Sequence, residues 1–281
     1  MHIKTIYNIY YILQMKYANT KSKAKKSSGT AKKRSRGYSK PSKSFQKAVE
    51  SVIHKNNENK EAYHEVDSLA FNSAINSTGD MQKVLPNIGN GTAENQRVGE
   101  QIRAQRLSIK GHFILSTSNN NTSNSRIGVR MMVVQPKNLS AYPEVSNNTS
   151  WLQQMLKKGG TNVAFTGLIS DLYAPINTDQ VTCYSDKLFY ITIPYLYQGL
   201  GLDPSTTLAS WDLSKATKFF SINLKVKNKL LKYDKNYNTL QPTSYSPILV
   251  LGYSHLDGSS PDITTTQVIM SYISVVEYED S

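Results

Sequence analysis

The chain has a single cysteine, Cys183, in 281 residues, so no intrachain disulfide can form. That fits a reducing compartment. No run of 18 apolar residues occurs, so no segment reads as a membrane-crossing helix. Catalytic signatures are equally scarce. The five histidines, His2, His54, His64, His112 and His255, form no HExxH pair, and "HEVDS" at 64–68 lacks the second histidine. There is no GxSxG and no Walker A sequence. "GNG" at 89–91 lacks the third glycine of a dinucleotide loop. Cys183 sits mid-strand in "VTCYSD" with no base beside it, and Asp171 and Asp186 read as isolated loop and turn carboxylates. Enzyme chemistry, a clustered metal site and a bound cofactor therefore find no support in the sequence.

The most informative absence lies between Lys16 and Lys47. This segment has no Asp, Glu, Ile, Leu, Val or Met, yet carries twelve Lys and Arg. The whole chain has a net charge of +13, so nearly all of its excess sits here and the remainder is close to neutral. A segment with almost nothing to bury and one sign of charge reads as a disordered arm with a polyanionic partner. The nucleic-acid-binding candidates are Lys21, Lys23, Lys25, Lys26, Lys32, Lys33, Arg34, Arg36, Lys40 and Lys43. The competing readings are a solvated tail and a nuclear-import signal. "KKRSR", with Lys32, Lys33, Arg34 and Arg36, offers the exposed cationic strand that an import receptor needs.

The expected organisation is a basic arm over 1–44, a short amphipathic helix with linker over 45–80, and one sizeable domain over 81–281. The first fourteen residues, "MHIKTIYNIYYILQ", are short, rich in Tyr and without a small-residue cleavage site. They read as an upstream reading-frame extension or a dispensable leader, with Met15 as the alternative start. In "SFQKAVESVIHK", Phe45, Val49, Val52 and Ile53 share one helical stripe. Residues 56–80 show no sustained period.

From about residue 105 the period becomes two. Leu107, Ile109, Phe113 and Leu115 alternate with polar neighbours, as do Ile127, Val129, Met131 and Val133. "TNVAFTGL", "QVTCYSDKLFYITI", "KFFSINLKVKNKLLKY", "SPILVLGYSH" and "TTTQVIMSYISVVEYE" supply further strands. The last is apolar on both faces, as a covered central strand would be. "SWLQQMLKKGG" predicts a helix, with a Ser150–Gln153 capping box and Gly159 as its C-terminal cap. Strands with long, uneven loops predict an all-β, two-sheet sandwich, of which a jelly roll is one architecture; a lipocalin-type barrel would need more even spacing. Lys225, Lys227 and Lys229 would share one face of a regular strand, either as a solvated surface or as a second polyanion site for DNA or sulfated glycans. The N-x-S/T triplets at Asn90, Asn121 and Asn148 read as unmodified in so Asn- and Ser-rich a chain.

"GNGTAENQRVGEQIRAQRLSIKGHFIL" resembles the segment that precedes and enters the first strand in capsid proteins of small circular single-stranded DNA viruses, the circovirus-like CRESS-DNA group. The matching elements are Arg97, Gly99, Ile102, Leu107, Ile109 and Gly111. "CYSDKLFYI" is similar to that family's Asp-Lys turn after an apolar strand. "FFSINLKVKNKLLKY" resembles its lysine-alternating strand, and the run into Glu277 and Asp280 its closing strand. The likeness covers about residues 20–281 as a pattern with few identities. It implies an eight-stranded jelly roll preceded by a disordered basic arm, about sixty copies in an icosahedral shell, a packaged DNA circle and assembly in a host nucleus. A host import receptor and a host-surface glycan are the implied further partners. The chain departs from the pattern in its arm, where lysine dominates and only Arg34 and Arg36 are arginine. Lysine binds phosphate as a point charge without arginine's bidentate fork. The alternative is a non-assembling nuclear shuttle or movement protein that binds single-stranded DNA. Aromatic residues among the arm's charges would favour it, and only Tyr17, Tyr38 and Phe45 qualify.

Overall fold

A computed structural model describes residues 42–46, 48–49, 59–75, 78–115, 126–192, 217–234, 240–258 and 268–280. The chain divides into two compact units, Met1–Ala48 and Val49–Ser281. In the first, residues 43–46 are helical, and Ser42 accepts the Phe45 amide on its side-chain oxygen at 3.3 Å, an N-cap. Phe45 and Val49 on the expected stripe are both exposed, while Val52 and Ile53 lie outside the described residues.

The second unit is built from strands β1 (Asn59–Phe71), β2 (Met81–Lys83), β3 (Gln101–Leu115), β4 (Arg126–Pro136), β5 (Leu156–Lys158), β6 (Thr161–Val163), β7 (Val181–Thr192), β8 (Thr217–Leu224), β9 (Lys229–Lys232), β10 (Ile248–His255) and β11 (Val268–Asp280). One sheet has the order β1-β11-β3-β8, with β9 continuing beside β3; the other has the order β2-β10-β4-β7. The pairs β4/β7, β3/β8, β2/β10 and β1/β11 are nested antiparallel partners. They form one long hairpin folded over on itself. The crossings β11/β3 and β10/β4 close that hairpin into two facing sheets. With the hairpin pair β5/β6 and the short β9 set aside, the eight strands lie in the order 1-8-3-6 and 2-7-4-5, which is the jelly roll.

Between the sheets lies a core of alternating residues: Leu107, Ile109 and Phe113 from β3, Val129, Met131 and Val133 from β4, Leu249 and Leu251 from β10, Met270 and Val276 from β11. Gly111 is required at its place in β3. A β-carbon there would fall 2.3 Å from the Ser271 carbonyl oxygen, 2.7 Å from Tyr272 Cβ and 2.8 Å from the Phe220 ring. The backbone atom cannot yield. Gly111→Ala is expected to cost about 1–3 kcal/mol by overpacking. The check is a thermal melt, where a domain of this size loses about 2–4 °C per kcal/mol; an unchanged midpoint would show that the sheet yields there.

The second sheet is covered on its other face too. The connection from β4 to β7 folds back on it, burying Val145, Trp151, Leu152, Met155, Leu156, Phe165 and Leu172 against Met132, Val134, Ile248 and Val250. Every residue of β10 is therefore buried. No such layer lies on the first sheet among the described residues, and Ile273 of β11 is 43% exposed. The strand covered on both faces is thus β10, not the final strand.

Four other expectations change. Residues 56–80, expected as linker, contain β1, a 13-residue strand at the sheet edge. Its outward positions include Glu61, Glu65 and Asp67 beside an exposed Tyr63, and one register shift at Val66/Leu69, with Ser68 at φ 52°, breaks its period. It follows that the segment entering at Gln101 is the third strand of the jelly roll, not the first. The helix expected over "SWLQQMLKKGG" is a single 3-10 turn, Leu152–Gln154, followed by the β5/β6 hairpin. Gly159 and Gly160 both have positive φ, 55° and 84°, and form its two-residue loop. Ser150 does not cap a helix; its hydroxyl donates to Asn148 Oδ1 at 2.5 Å. Lastly, Asp186 and Lys187 are not a turn. They lie inside β7, which runs unbroken past a bulge opposite Val133/Val134.

Candidate nucleic-acid interface

Of the ten arm residues expected to meet nucleic acid, Lys43 is exposed on the helical turn over 43–46. The other nine, including the import candidates Lys32, Lys33, Arg34 and Arg36, lie outside the described residues.

The lysines expected on one strand face are separated by the chain itself. β8 ends at Leu224. Val226 bonds back to the Leu224 carbonyl, Asn228 takes φ 59°, and Lys229 bonds to the Val226 carbonyl at 2.7 Å. The turn leaves Lys225 and Lys227 exposed but starts a new strand at Lys229. The Lys229 ammonium sits 4.2 Å over the Tyr245 ring, a cation–π contact. The single row of three lysines is therefore not formed.

The uncovered face of the first sheet brings together residues that stand far apart in sequence. Across β3 and β8 the opposed pairs are Ser108/Asn223, Lys110/Ser221, His112/Phe219 and Ile114/Thr217. Phe219 is 79% exposed, the largest value among the described large apolar residues. Its ring lies 5.7 Å from that of His112, tilted by 48°. Lys187, from the edge of the other sheet, donates to the Ser221 carbonyl at 2.6 Å. Further across, the charge reverses. Glu61 and Glu65 of β1 and Glu277 of β11 lie on that side, and Arg106 pairs with Glu277 at 3.2 Å along the boundary.

Other polar groups hold the fold. Asp171 and Asp186 both belong to an ionic anchor around Arg130, which is almost wholly buried in β4. The guanidinium donates twice to Asp186, at 2.9 and 2.6 Å, and to the carbonyls of Asp171 and Ala174 at 2.6 and 2.8 Å. The Asp171 carboxylate accepts the amides of Thr166 and Leu168 and pairs with Lys158. Lys60 and Asp280 form a buried pair at 3.0 Å between the first and last strands. Arg97 donates to the Gly99 carbonyl and lies 4.1 Å over the Tyr233 ring. Cys183 is half-buried in β7, and burial pushes its thiol pKa up, away from reactivity. Burial and the Lys83 charge lower His64, whose ring packs edge-on to Tyr272. Burial raises Tyr233, Tyr245 and Tyr272 well above the ordinary phenol range. Among the described residues no group of three His, Cys, Asp or Glu could hold a metal ion, and no helix is long and apolar enough to cross a membrane.

No protein-family model and no curated protein matches the sequence. Among solved structures, the chain overlays on one from Desmodium yellow mottle tymovirus at 8% identity, covering 80% of this chain and 88% of that one, with a TM-score of 0.30. It overlays on Mud crab tombus-like virus at 10% identity over 94% of each chain, TM-score 0.33. For the Israel acute paralysis virus pentamer the identity is 9%, the coverage 94% and 82%, and the TM-score 0.27. These overlays are too loose to carry an inference, and the jelly roll stands on strand order and register.

Proposed function

We propose that this protein is a viral coat protein that assembles into a small closed shell and packages circular single-stranded DNA through its lysine-rich arm. A jelly roll by itself does not name an activity. The observation that carries the reading is charge segregation: twelve basic residues and no acid in Lys16–Lys47, ahead of a sandwich whose remainder is nearly neutral. Such a chain is suited to build a wall with one part and hold a polyanion with the other. At about 3.3 Å per residue, thirty arm residues span roughly 100 Å when extended, enough to reach from a wall into its interior. Neutralisation of phosphates with release of counterions drives the association, and no base-reading element is visible in the arm. The resemblance noted in the sequence supports circular single-stranded DNA as the cargo, about sixty copies as the assembly, and the virion as the destination. "KKRSR" at Lys32–Arg36 serves import to the host nucleus through a receptor. Exposed Lys225 and Lys227 stand together on one turn of the described domain, where a sulfated glycan would meet them.

Electron microscopy of the purified full-length protein, with nuclease digestion of the sample, tests the reading. Closed shells containing nuclease-protected single-stranded DNA are expected. Soluble single chains that bind single-stranded DNA without forming shells would replace it with the shuttle or movement reading.

A further inference from the structure

Phe219 is difficult to account for as a structural residue. Its neighbour Phe220 turns inward, is buried and stacks on Phe113 at 5.0 Å between ring centres. Phe219 turns outward and leaves most of its ring in water, so it gains little of the stabilisation that burial would give. The second sheet hides its outer face under the β4–β7 connection, whereas the β3–β8 half of the first sheet presents Phe219 and His112 side by side. Lys110 lies two residues along β3 from His112, about 7 Å away on the same face. Lys110 and Lys187 both stand at Ser221, one as its register partner and one bonded to its carbonyl.

We propose that this β3–β8 face binds single-stranded nucleic acid directly, stacking an unpaired base on Phe219 beside His112 while Lys110 and Lys187 meet the adjoining phosphates. An open aromatic ring flanked by cations on a flat strand surface is the chemistry that takes a base by its π-face, whatever its sequence. The acidic half of the sheet sets the boundary. Glu61, Glu65 and Glu277 repel a polyanion, so the strand is confined to the β3–β8 ribbon. A duplex fits poorly, because its base faces are already stacked and its second backbone would cross the acidic half. The arm supplies charge without selectivity, and the sheet supplies the preference for unpaired bases. This inference rests on the packaging reading for its class of ligand.

The test uses the full-length protein with a labelled oligo(dT) 20-mer and a duplex of the same length, followed by fluorescence anisotropy over a salt series. Phe219→Ala is expected to weaken oligo(dT) binding about tenfold, most visibly at high salt where the arm's contribution fades, and to leave the duplex unchanged. Phe219→Trp should restore the affinity. Oligonucleotides carrying 5-iododeoxyuridine should photo-crosslink to the peptide containing Phe219. Since the ring is exposed, the alanine variant keeps its fold, and a thermal melt checks this. Equal losses for both probes, or none for either, overturn the sheet platform and leave packaging by the arm standing. Loss of self-association with oligo(dT) binding intact overturns it too and assigns the face to contact between copies. If the unmodified protein binds neither probe, the packaging reading falls, and this inference with it.

Discussion

A chain with glutamine at Lys21, Lys23, Lys25, Lys26, Lys32, Lys33, Arg34, Arg36, Lys40 and Lys43 is expected to fold as before and to lose its nucleic acid. None of the ten is apolar, and Lys43, the one described, is exposed. Their replacement by glutamine removes charge and takes away no apolar residue. The effect on binding is large because it multiplies. Each phosphate neutralised on a single strand contributes about −0.7 to the slope of log affinity against log salt. Ten such contacts give a slope near −7, and between 50 and 200 mM salt the unmodified protein should lose about four orders of magnitude in affinity. In the glutamine variant the slope should collapse toward that of the folded domain alone, and purified particles should show the absorbance ratio of bare protein. A slope that survives the substitutions would locate the phosphate contacts on the folded domain and remove the arm from the packaging role. Replacing the same lysines by arginine should retain the slope, since counterion release depends on charge, while adding bidentate phosphate contacts that lysine does not make.

The parts of the fold that could be read from the sequence are those where burial alone decides the pattern. Leu107, Ile109 and Phe113 alternate because one side of β3 faces the core, and the structure buries all three. The two-sheet sandwich followed from such runs and the uneven loops between them, whereas the jelly-roll order was implied by the family resemblance. β1 escaped because it is an edge strand with one neighbour, β11. Its outward residues include Glu61, Glu65 and Asp67, and the bulge near Ser68 breaks the period. The false helix at 150–160 has the reverse cause. Leu152, Met155 and Leu156 sit at helical spacing and are all buried, but against the second sheet, and two positive-φ glycines turn the chain back. Gly159–Gly160 was the available signal for a hairpin.

The candidate interface was half legible in the same way. The parity that sends Phe220 and Ile222 inward sends Phe219 and Ser221 outward, so the exposed ring was present in "KFFSINL". Its pairing with His112, more than a hundred residues earlier, is set by strand register, which a single sequence does not print. The Lys225–Lys229 row failed because β8 ends at Leu224 and a turn with Asn228 in a left-handed conformation leads into a new strand at Lys229, where alternation alone continues through.

Arg130→Met is expected to be the most destabilising single change in the second unit, at about 3–5 kcal/mol. The guanidinium ties the β4–β7 connection to the sheet beneath it through one bond each to the carbonyls of Asp171 and Ala174, and it bonds twice to Asp186 on the neighbouring strand β7. Methionine fills much of the space and returns none of these donors. Asp186 is partly exposed and regains water, which limits its share of the loss. The Asp171 carbonyl belongs to a fully buried residue and cannot do the same. Asp171 also organises its own turn through Thr166 and Leu168, so displacement of this residue disturbs the cover over Met132 and Val250. Arg130→Lys should fall between the two, because an ammonium retains the charge and cannot span the carboxylate and both carbonyls. Adding Asp186→Leu to Arg130→Met should recover part of the loss by removing the stranded carboxylate, leaving the carbonyl penalty behind. Urea unfolding of the four proteins measures all of this, with an unchanged slope against denaturant as the sign that only stability has moved. A loss below about 1 kcal/mol for Arg130→Met would mean that the apolar contacts of Trp151, Leu152 and Phe165 hold the connection in place, with the guanidinium contributing little beyond the hydrogen bonds it makes in the folded state.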